Sequence, residues 1–212
     1  GPLLARLESE EDKKGLAELG YPPIQIVACN LYPFSAAAAQ KPPLEDPALL
    51  EMIDIGGPTM VRASAKNHRN IIIACNPSRY DEIIAELESV PDAQSIGIEL
   101  RRSLALDAFE HTAAYDSAIA DELHARWVGR PEWSDETSVQ TSRLPATLLA
   151  SAVKTHSLRY GENSHQAAAL YTDPREFGNH ATLVTAHVEG EKDMSYNNYS
   201  DADATLRLCR AL

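Results

Sequence analysis

Two short β-branched runs enclose the feature that most constrains how this chain can fold. Residues 24–28 (IQIVA) and residues 71–75 (IIIAC) have the length and composition of buried strands in a parallel sheet. Between them, residues 51–68 (EMIDIGGPTMVRASAKNH) pass from an apolar run through two glycines and a proline into a helical pattern. A strand, a turn with a helix, and a second strand form the alternation expected of an α/β layer.

The glycine turn in the middle of this unit predicts a ligand site. Gly56 and Gly57 allow close approach of the backbone to a ligand, and a helix that begins at Pro58 presents free N–H groups to an anion. The polar side chains around the turn are Asp54, Thr59, Arg62 and Lys66. The last three are spaced for one helical face, so we predict that an acid, free amides and two cations converge on one pocket. A glycine turn followed by a helix with a solvated basic face explains the same spacing equally well.

Polar residues directly follow the first predicted strand, at Cys29, Asn30 and Tyr32. Ligands in open α/β sheets gather beyond the carboxyl ends of the strands. Asn30 can donate and accept hydrogen bonds and Tyr32 offers a phenol, so both are candidate ligand contacts. The alternative is that Asn30 caps a turn while residues 32–34 pack a loop.

The remaining patterns predict further helices, strands and connections. Residues 8–19 form a charged helix that ends at Gly20, and Ser78 with Asp81 is a candidate capping box. Apolar residues at steps of three and four predict a long helix over residues 99–127. Further predicted elements are a connection at 35–43, a helix at 44–52, strands at 167–171 and 181–186, and a helix from 201 to 212.

Charge, hydropathy and cysteines exclude several function classes. The formal net charge of −12 argues against a nucleic-acid or anionic-membrane surface, although a local basic pocket for a phosphorylated metabolite is compatible with it. No apolar run reaches the length of a membrane span, about 18 residues or more. The N-terminus lacks a signal-peptide pattern, and the three cysteines are scattered without zinc spacing. We therefore expect a cytoplasmic protein with reduced thiols and no metal site.

Three longer motifs resemble one enzyme family. They are residues 27–34 (VACNLYPF), residues 51–68, and residues 158–166 (LRYGENSHQ), in the order that the family has them. On these motifs the chain resembles the bifunctional purine-biosynthesis enzymes with AICAR transformylase and IMP cyclohydrolase activities. In that family phosphate-binding loops precede the equivalent of Gly1, and catalytic residues follow the equivalent of Leu212. The resemblance therefore implies that this chain is part of a longer protein.

The resemblance also implies an α/β fold with two domains. Residues 1–127 are expected to form a methylglyoxal-synthase-like domain of parallel strands and helices, without its N-terminal part. Residues 128–157 are expected to be a linker or boundary. Residues 158–212 are expected to begin a cytidine-deaminase-like α/β domain.

The activity implied for the first domain is closure of the ring of FAICAR to give IMP and water, without a cofactor. The family's catalytic residues correspond to Lys66, Tyr32 and Asp54. We hypothesise that Lys66 transfers protons and polarises the formyl oxygen, that Asp54 orients or deprotonates the carboxamide, and that Tyr32 assists by hydrogen bonding. The implied substrate contacts are Cys29, Asn30, Asp54, Ile55, Gly56, Gly57 and Arg62.

The activity implied for the second domain is formyl transfer to AICAR from the co-substrate 10-formyltetrahydrofolate. Arg159 and Tyr160 match the pair that contacts AICAR in the family. The implied partners are the purine ribonucleotides FAICAR, IMP and AICAR, with no nucleic acid and no membrane. The resemblance further implies a homodimer when the protein is intact.

Two other functions remain open from the residues alone. A non-catalytic nucleotide- or phosphate-sensing module with a methylglyoxal-synthase-like fold needs the glycine turn and the cations, but not Lys66, Tyr32 and Asp54 together. A methylglyoxal synthase does not account for the segment after residue 157. The joint presence of the three residues and the motif at 158–166 favours the purine enzyme.

Overall fold

The structure, a computed structural model, describes residues 1–128, 152–172, 183–184, 186–189 and 192–211. Contacts divide the chain into two compact units, residues 1–146 and residues 147–212. Residues 129–151, which contain most of the predicted boundary segment, lie outside the described residues. The predicted domain limits therefore stay a prediction.

Helices and strands alternate in the first unit, and the predicted α/β class is confirmed. The elements are α1 (Glu10–Glu18), β1 (Ile26–Ala28), α2 (Phe34–Ala38), α3 (Asp46–Leu50), α4 (Gly56–Lys66), β2 (Ile72–Ala74), α5 (Tyr80–Ser89) and α6 (Ile98–Trp127). Single 3₁₀ turns lie at Pro2–Leu4, Pro77–Arg79 and Ala93–Ser95. None of the helices in the described ranges combines the length and the apolar character that crossing a membrane requires.

The two strands of the first unit pair in parallel, as predicted, with Ile26 opposite Ile72 and Ala28 opposite Ala74. Strand β2 is buried along its whole length, whereas Ile26 in β1 is 41% exposed. The prediction that β1 is a buried strand is therefore wrong. Among the described strands each pairs only with the other, and the difference is that β2 also packs against α4 and α6.

The main core lies where β2 packs against α4 and α6. Val61 and Ala65 of α4 meet Leu104 and Ala108 of α6, and all four side chains are almost fully buried. A second cluster is built around Phe34, and among its other members are residues of α2, α3 and the far half of α6: Ala37, Leu49, Tyr115 and Ile119. Helix α6 thus supports both clusters.

Local hydrogen bonds change some of the predicted boundaries. The predicted connection at 35–43 is partly helical, because Phe34 and Ala37 of α2 are buried in the second cluster. The predicted capping box of Ser78 with Asp81 is wrong, since Asn76 Oδ1 accepts the Ser78 N–H at 3.0 Å and begins the turn that leads into α5.

The second unit contains an antiparallel strand pair and a helix. Strand β3 (Val153–Ser157) pairs with β4 (Ala169–Thr172), and β3 falls inside the segment that the sequence indicated as a boundary. Helix α7 (Tyr196–Ala211) begins five residues earlier than predicted. Residues 181, 182 and 185 of the strand predicted at 181–186 lie outside the described residues, and residues 183–184 form a turn instead of a strand.

Candidate functional site

The segment that leads into α4, residues 52–57, is here called the Asp54 turn. Asp54 Oδ1 accepts a hydrogen bond from the Gly57 N–H at 2.7 Å, so the carboxylate caps the helix. As a result α4 begins at Gly56, two residues before the predicted start at Pro58. This end of the helix already carries a negative charge and has lost a free N–H, which makes it a weaker anion site than the sequence predicts.

Gly57, but not Gly56, is required by the close packing of the Asp54 turn. A Cβ atom on Gly57 would lie 2.3 Å from Asp54 Oδ2 and 2.9 Å from Leu31 Cδ2. A Cβ atom on Gly56 would meet nothing within 4 Å. Of the two glycines, only Gly57 is required by the structure. Its missing side chain lets the Asp54 carboxylate and the segment after β1 approach the helix.

The segment after β1, residues 29–32, lies beside the Asp54 turn. The Cys29 N–H extends the strand pairing by donating to the Ala74 carbonyl at 3.1 Å. Burial raises the pKa of the Cys29 thiol, and the negative charge of Asp54 raises it further. Asn30 is exposed and Tyr32 is 54% exposed, so the amide and the phenol face solvent next to the turn.

Arg62 and Lys66 lie away from the Asp54 turn, along the same helix. Lys66 is the last residue of α4, and a rise of about 1.5 Å per residue puts it about 15 Å from Gly56. The predicted convergence of the acid with both cations on one pocket is therefore not what the fold produces. Asp54 joins the segment after β1, while the cations join α6.

The cations line a cavity of about 680 Å³ between α4 and α6, here called the basic cleft. Its polar lining consists of Arg62, Lys66, His68 and Arg102. The Arg62 guanidinium lies over the Phe109 ring, 5.6 Å from the ring centre, and Phe109 forms part of an apolar floor. Since no carboxylate is among the described residues that line it, the basic cleft suits an anion that carries an apolar or aromatic part.

In the second unit, Arg159 and Tyr160 lie in the loop that follows β3. The Arg159 guanidinium stacks on the Tyr160 ring at 4.9 Å from the ring centre and donates to the Tyr160 hydroxyl at 3.2 Å. The start of α7 supports this loop, because the Tyr196 N–H donates to the Tyr160 carbonyl at 3.1 Å. The pair forms a preassembled planar surface with a guanidinium edge, suited to a phosphate or carboxamide oxygen.

Two supports of these loops were not predicted from the sequence. Tyr115 in α6 reaches the Asp54 turn, although the sequence indicated it only as one residue on an apolar helical face. Ser195 and Asn198 cap α7 reciprocally, since the Asn198 carboxamide oxygen accepts the Ser195 N–H at 3.0 Å and the Ser195 hydroxyl accepts the Asn198 N–H at 3.4 Å. The spacing Ser-x-x-Asn was a usable signal for this cap, whereas the contact of Tyr115 left no local signal.

No group of three or more His, Cys, Asp or Glu side chains within the described ranges is arranged to hold a metal ion. The polar groups that are present act instead by hydrogen bonding and charge. The Asp54 turn with residues 29–32 offers a carboxylate, an amide and a phenol, and the basic cleft offers cations over an apolar floor. Each arrangement fits recognition of one part of a polar metabolite.

Comparison with known proteins identifies relatives of the whole chain. The family model of the AICARFT/IMPCHase bienzyme matches residues 64–212. The bifunctional purine biosynthesis protein PurH of Persephonella marina (strain DSM 14350 / EX-H1) is 40% identical over 210 residues, which are 99% of this chain and 38% of that protein. PurH of Sorangium cellulosum (strain So ce56) is 38% identical over 199 residues, 94% of this chain and 37% of that protein.

The match to solved structures covers a smaller part of the chain. The crystal structure of ForH is 37% identical, and the alignment covers 57% of this chain and 62% of that chain with a TM-score of 0.47. The chain spans little more than a third of the length of the PurH proteins that it matches.

Proposed function

This chain belongs to the AICARFT/IMPCHase bienzyme family, and we propose that its first unit acts in purine biosynthesis by closing the ring of FAICAR to give IMP and water. The observation that carries the proposal is the Asp54 turn beside residues 29–32. There a carboxylate and a phenol are available to the N–H groups of a carboxamide, and the capped helix disfavours a phosphate. Membership of an enzyme family speaks against the non-catalytic sensing module.

The proposed reaction makes one C–N bond and releases one water. The carboxamide nitrogen attacks the formyl carbon and passes a proton to a base, a role that we assign to the Asp54 carboxylate. The formyl oxygen gains negative charge, takes up protons and leaves as water, while the formamido nitrogen gives up its proton as the ring double bond forms. The phenol of Tyr32 donates to the oxygen in this step. Because Lys66 lies about 15 Å along α4 from Gly56, we assign it to the far part of the same substrate, where it contributes positive charge.

The distance between Lys66 and Asp54 limits how one substrate molecule can contact both residues. The side chain of a lysine bridges only part of the separation of about 15 Å between Gly56 and Lys66. One molecule contacts both groups only when it lies lengthwise along α4, over the exposed face that carries Arg62. We therefore propose that the substrate spans from the Asp54 turn to the basic cleft.

The proposal is tested by FAICAR cyclisation, followed by ultraviolet absorbance as IMP appears. The 212-residue chain and the complete product of its gene are assayed side by side. Turnover by both assigns the activity to the residues described above, and turnover by the complete product alone assigns it to a site that needs more than this chain. Absence of turnover in both contradicts the proposed function.

Lys66 is tested by the variant Lys66→Ala in the protein that turns over. We expect loss of turnover with an unchanged free energy of unfolding, because Lys66 is exposed at the end of α4. Lys14→Ala is the matched control, since Lys14 is an exposed helical lysine in α1, away from the site. Normal turnover by Lys66→Ala overturns the assignment.

For the second unit we propose binding of AICAR by Arg159 and Tyr160, and in the complete protein formyl transfer from 10-formyltetrahydrofolate. The stacked guanidinium and ring support this proposal, because Lys cannot replace a planar, bidentate donor. Arg159→Lys in the complete protein is expected to raise the KM for AICAR at least tenfold. Arg207→Lys, at an exposed ion pair in α7, is the control; equal KM values in both variants contradict the assignment.

The finer structural expectations are proposals of the same kind. We propose a methylglyoxal-synthase-like first domain, a cytidine-deaminase-like second domain, a homodimer in the complete protein and a cytoplasmic location. They rest on the three motifs that the chain shares with its family. Light scattering of the complete protein tests the homodimer, and a monomer at micromolar concentration contradicts it.

A further inference from the structure

One side chain of α6 contacts the Asp54 turn and also Phe34, two residues after Tyr32. The Tyr115 hydroxyl accepts a hydrogen bond from the Asp54 N–H at 2.8 Å and donates one to the Met52 carbonyl at 3.3 Å. A phenol has one proton to donate. Here the proton goes to a carbonyl of the same turn whose N–H the phenol oxygen accepts. The hydroxyl thereby ties two backbone groups of the Asp54 turn to the long helix.

The ring of the same tyrosine packs on the other segment. Tyr115 meets Phe34 edge to face, with ring centres 6.4 Å apart and planes inclined by 74°. Phe34 is 1% exposed, and its N–H donates to the Tyr32 carbonyl at 2.8 Å. The position of Phe34 therefore determines where the chain places Tyr32, and Tyr115 forms part of the wall against which Phe34 packs.

We propose that Tyr115 is a positioning residue, whose hydroxyl sets the Asp54 carboxylate and whose ring sets the segment of Tyr32, so that both face one substrate. The effect is indirect, because Tyr115 acts through the backbone of Met52 and Asp54 and through Phe34. This proposal rests on the proposed cyclohydrolase function for its kinetic consequence. Its structural consequence, a fixed Asp54 turn, does not depend on that function.

The local electrostatics agree with this arrangement. Burial is the main reason that the pKa of Tyr115 is raised, and the nearby negative charge of Asp54 raises it as well. The hydroxyl therefore keeps its proton at neutral pH and stays a donor to the Met52 carbonyl. The Asp54 carboxylate separately accepts the Gly57 N–H at 2.7 Å.

The test uses Tyr115→Phe in the complete gene product, because this change removes only the hydroxyl. Tyr80→Phe is the matched control: Tyr80 is half-buried against the main core, and its hydroxyl has no hydrogen bond to any described residue. We expect kcat for FAICAR cyclisation to fall about tenfold in Tyr115→Phe, with KM within about twofold of wild type. Tyr80→Phe is expected to keep kcat within about twofold.

A second readout follows the turn itself. Hydrogen exchange at the amides of residues 52–57 is expected to be at least fivefold faster in Tyr115→Phe than in Tyr80→Phe, since the Asp54 N–H has lost its acceptor. Tyr115→Leu removes the ring as well and is expected to lower kcat beyond Tyr115→Phe, because the Tyr32 segment is then also released. A Tyr115→Phe protein with kcat and exchange equal to the control overturns the proposal.

The two proposals fail in different ways. If no protein turns over FAICAR, wild type included, the cyclohydrolase proposal fails, and exchange alone decides about Tyr115. Faster exchange in Tyr115→Phe then supports its positioning of the Asp54 turn, and equal exchange overturns it. If wild type and Tyr80→Phe turn over normally while Tyr115→Phe loses kcat without faster exchange, the backbone tie is wrong even though the residue matters.

Discussion

The two ends of α4 are both contacted by α6, but through side chains of different charge. At the N-terminal end, Asp54 closes the helix with its own carboxylate, and Tyr115 of α6 bonds to the backbone of the turn. Just after the C-terminal end, the buried guanidinium of Arg101, also in α6, donates to the carbonyl of His68, and it donates as well to the carbonyls of Ala93 and Ile96 in the segment before α6. Both ends are thus linked to α6. The N-terminal end is linked through a turn that a carboxylate caps, and the C-terminal end is linked through a buried cation.

The difference lies in what each end leaves available to a ligand. At the Asp54 turn the carboxylate accepts the Gly57 N–H at 2.7 Å and the Asp54 N–H donates to the Tyr115 hydroxyl at 2.8 Å, so the position of this carboxylate is defined before anything binds. Around the basic cleft the cations Arg62 and Lys66 extend from the exposed face of α4 on long side chains. We therefore expect the N-terminal end to orient a substrate and the C-terminal end to contribute charge that adapts to it.

The largest effect should come from the buried cation at the C-terminal end. Arg101 is 2% exposed, and burial lowers the pKa of its guanidinium. The hydrogen bonds to the three carbonyls compensate for the free energy that burial of this charge costs. Arg101→Ala leaves these carbonyls without a donor and opens a cavity, which should lower the free energy of unfolding by about 3–5 kcal/mol. The neighbouring Arg102 is exposed and pairs with Glu99, so Arg102→Ala should change it by less than about 0.5 kcal/mol.

Urea denaturation of both arginine variants measures this difference. Equal stabilities of the two would mean that the guanidinium of Arg101 does not anchor the end of α4. A large loss in Arg101→Ala alone would show that the segments of His68, Ala93 and Ile96 depend on this guanidinium, independently of the exposed cations of the basic cleft.

The next effect concerns the glycine pair at the N-terminal end. Gly57→Ala places a Cβ 2.3 Å from Asp54 Oδ2, so either the cap or the helix must move, at a cost of about 2–3 kcal/mol. Gly56→Ala has open space and should be neutral or stabilising by up to about 1 kcal/mol, since Ala is the better helix former. Thermal unfolding of the two variants compares them directly, and similar melting temperatures would show that the Asp54 turn is not tightly packed.

A smaller effect separates the cap of Asp54 from its charge. Asp54→Ala removes the acceptor for the Gly57 N–H and should cost about 1 kcal/mol. Asp54→Asn keeps a side-chain oxygen in place and should retain most of the stability, yet it should lose FAICAR turnover, because an amide is not a base. An Asn variant as unstable as the Ala variant would mean that the charge, and not the cap, stabilises this end of α4.

The smallest effect is a change in thiol reactivity next to the turn. The negative charge of Asp54 contributes to the raised pKa of Cys29, so Asp54→Asn should lower that pKa and increase the thiolate fraction at a given pH. Alkylation of Cys29 by iodoacetamide near pH 8 should therefore become a few-fold faster. The difference in rate should disappear at a pH well above the pKa of Cys29 in both the wild type and the variant. Exposed Cys209 in the second unit serves as the internal reference, and an unchanged rate ratio of the two thiols contradicts this prediction.

Much of the fold was predictable because its signals are local. The β-branched runs, the three-and-four spacing of α6 and the helix before Gly20 were all assigned correctly, and Gly20 has the positive φ of 70° that a helix-ending glycine adopts. The position of residues 29–32 directly after a strand of a parallel pair was also predicted. The start of α4, the cap at Asn76 and strand β3 were missed, since each depends on a hydrogen bond that competes with a plausible local alternative.

Sequence alone determined the α/β class, the family of the chain and the chemical nature of the groups around the glycine turn. These depend on composition and on periods of two or three to four residues, which are written along the chain. Only the tertiary structure decided that Lys66 lies at the far end of α4 from Asp54, and that Tyr115, 61 residues further on, supports the turn. The reason is that hydrogen bonds and packing between distant segments are selected by the whole core, and no short pattern encodes them.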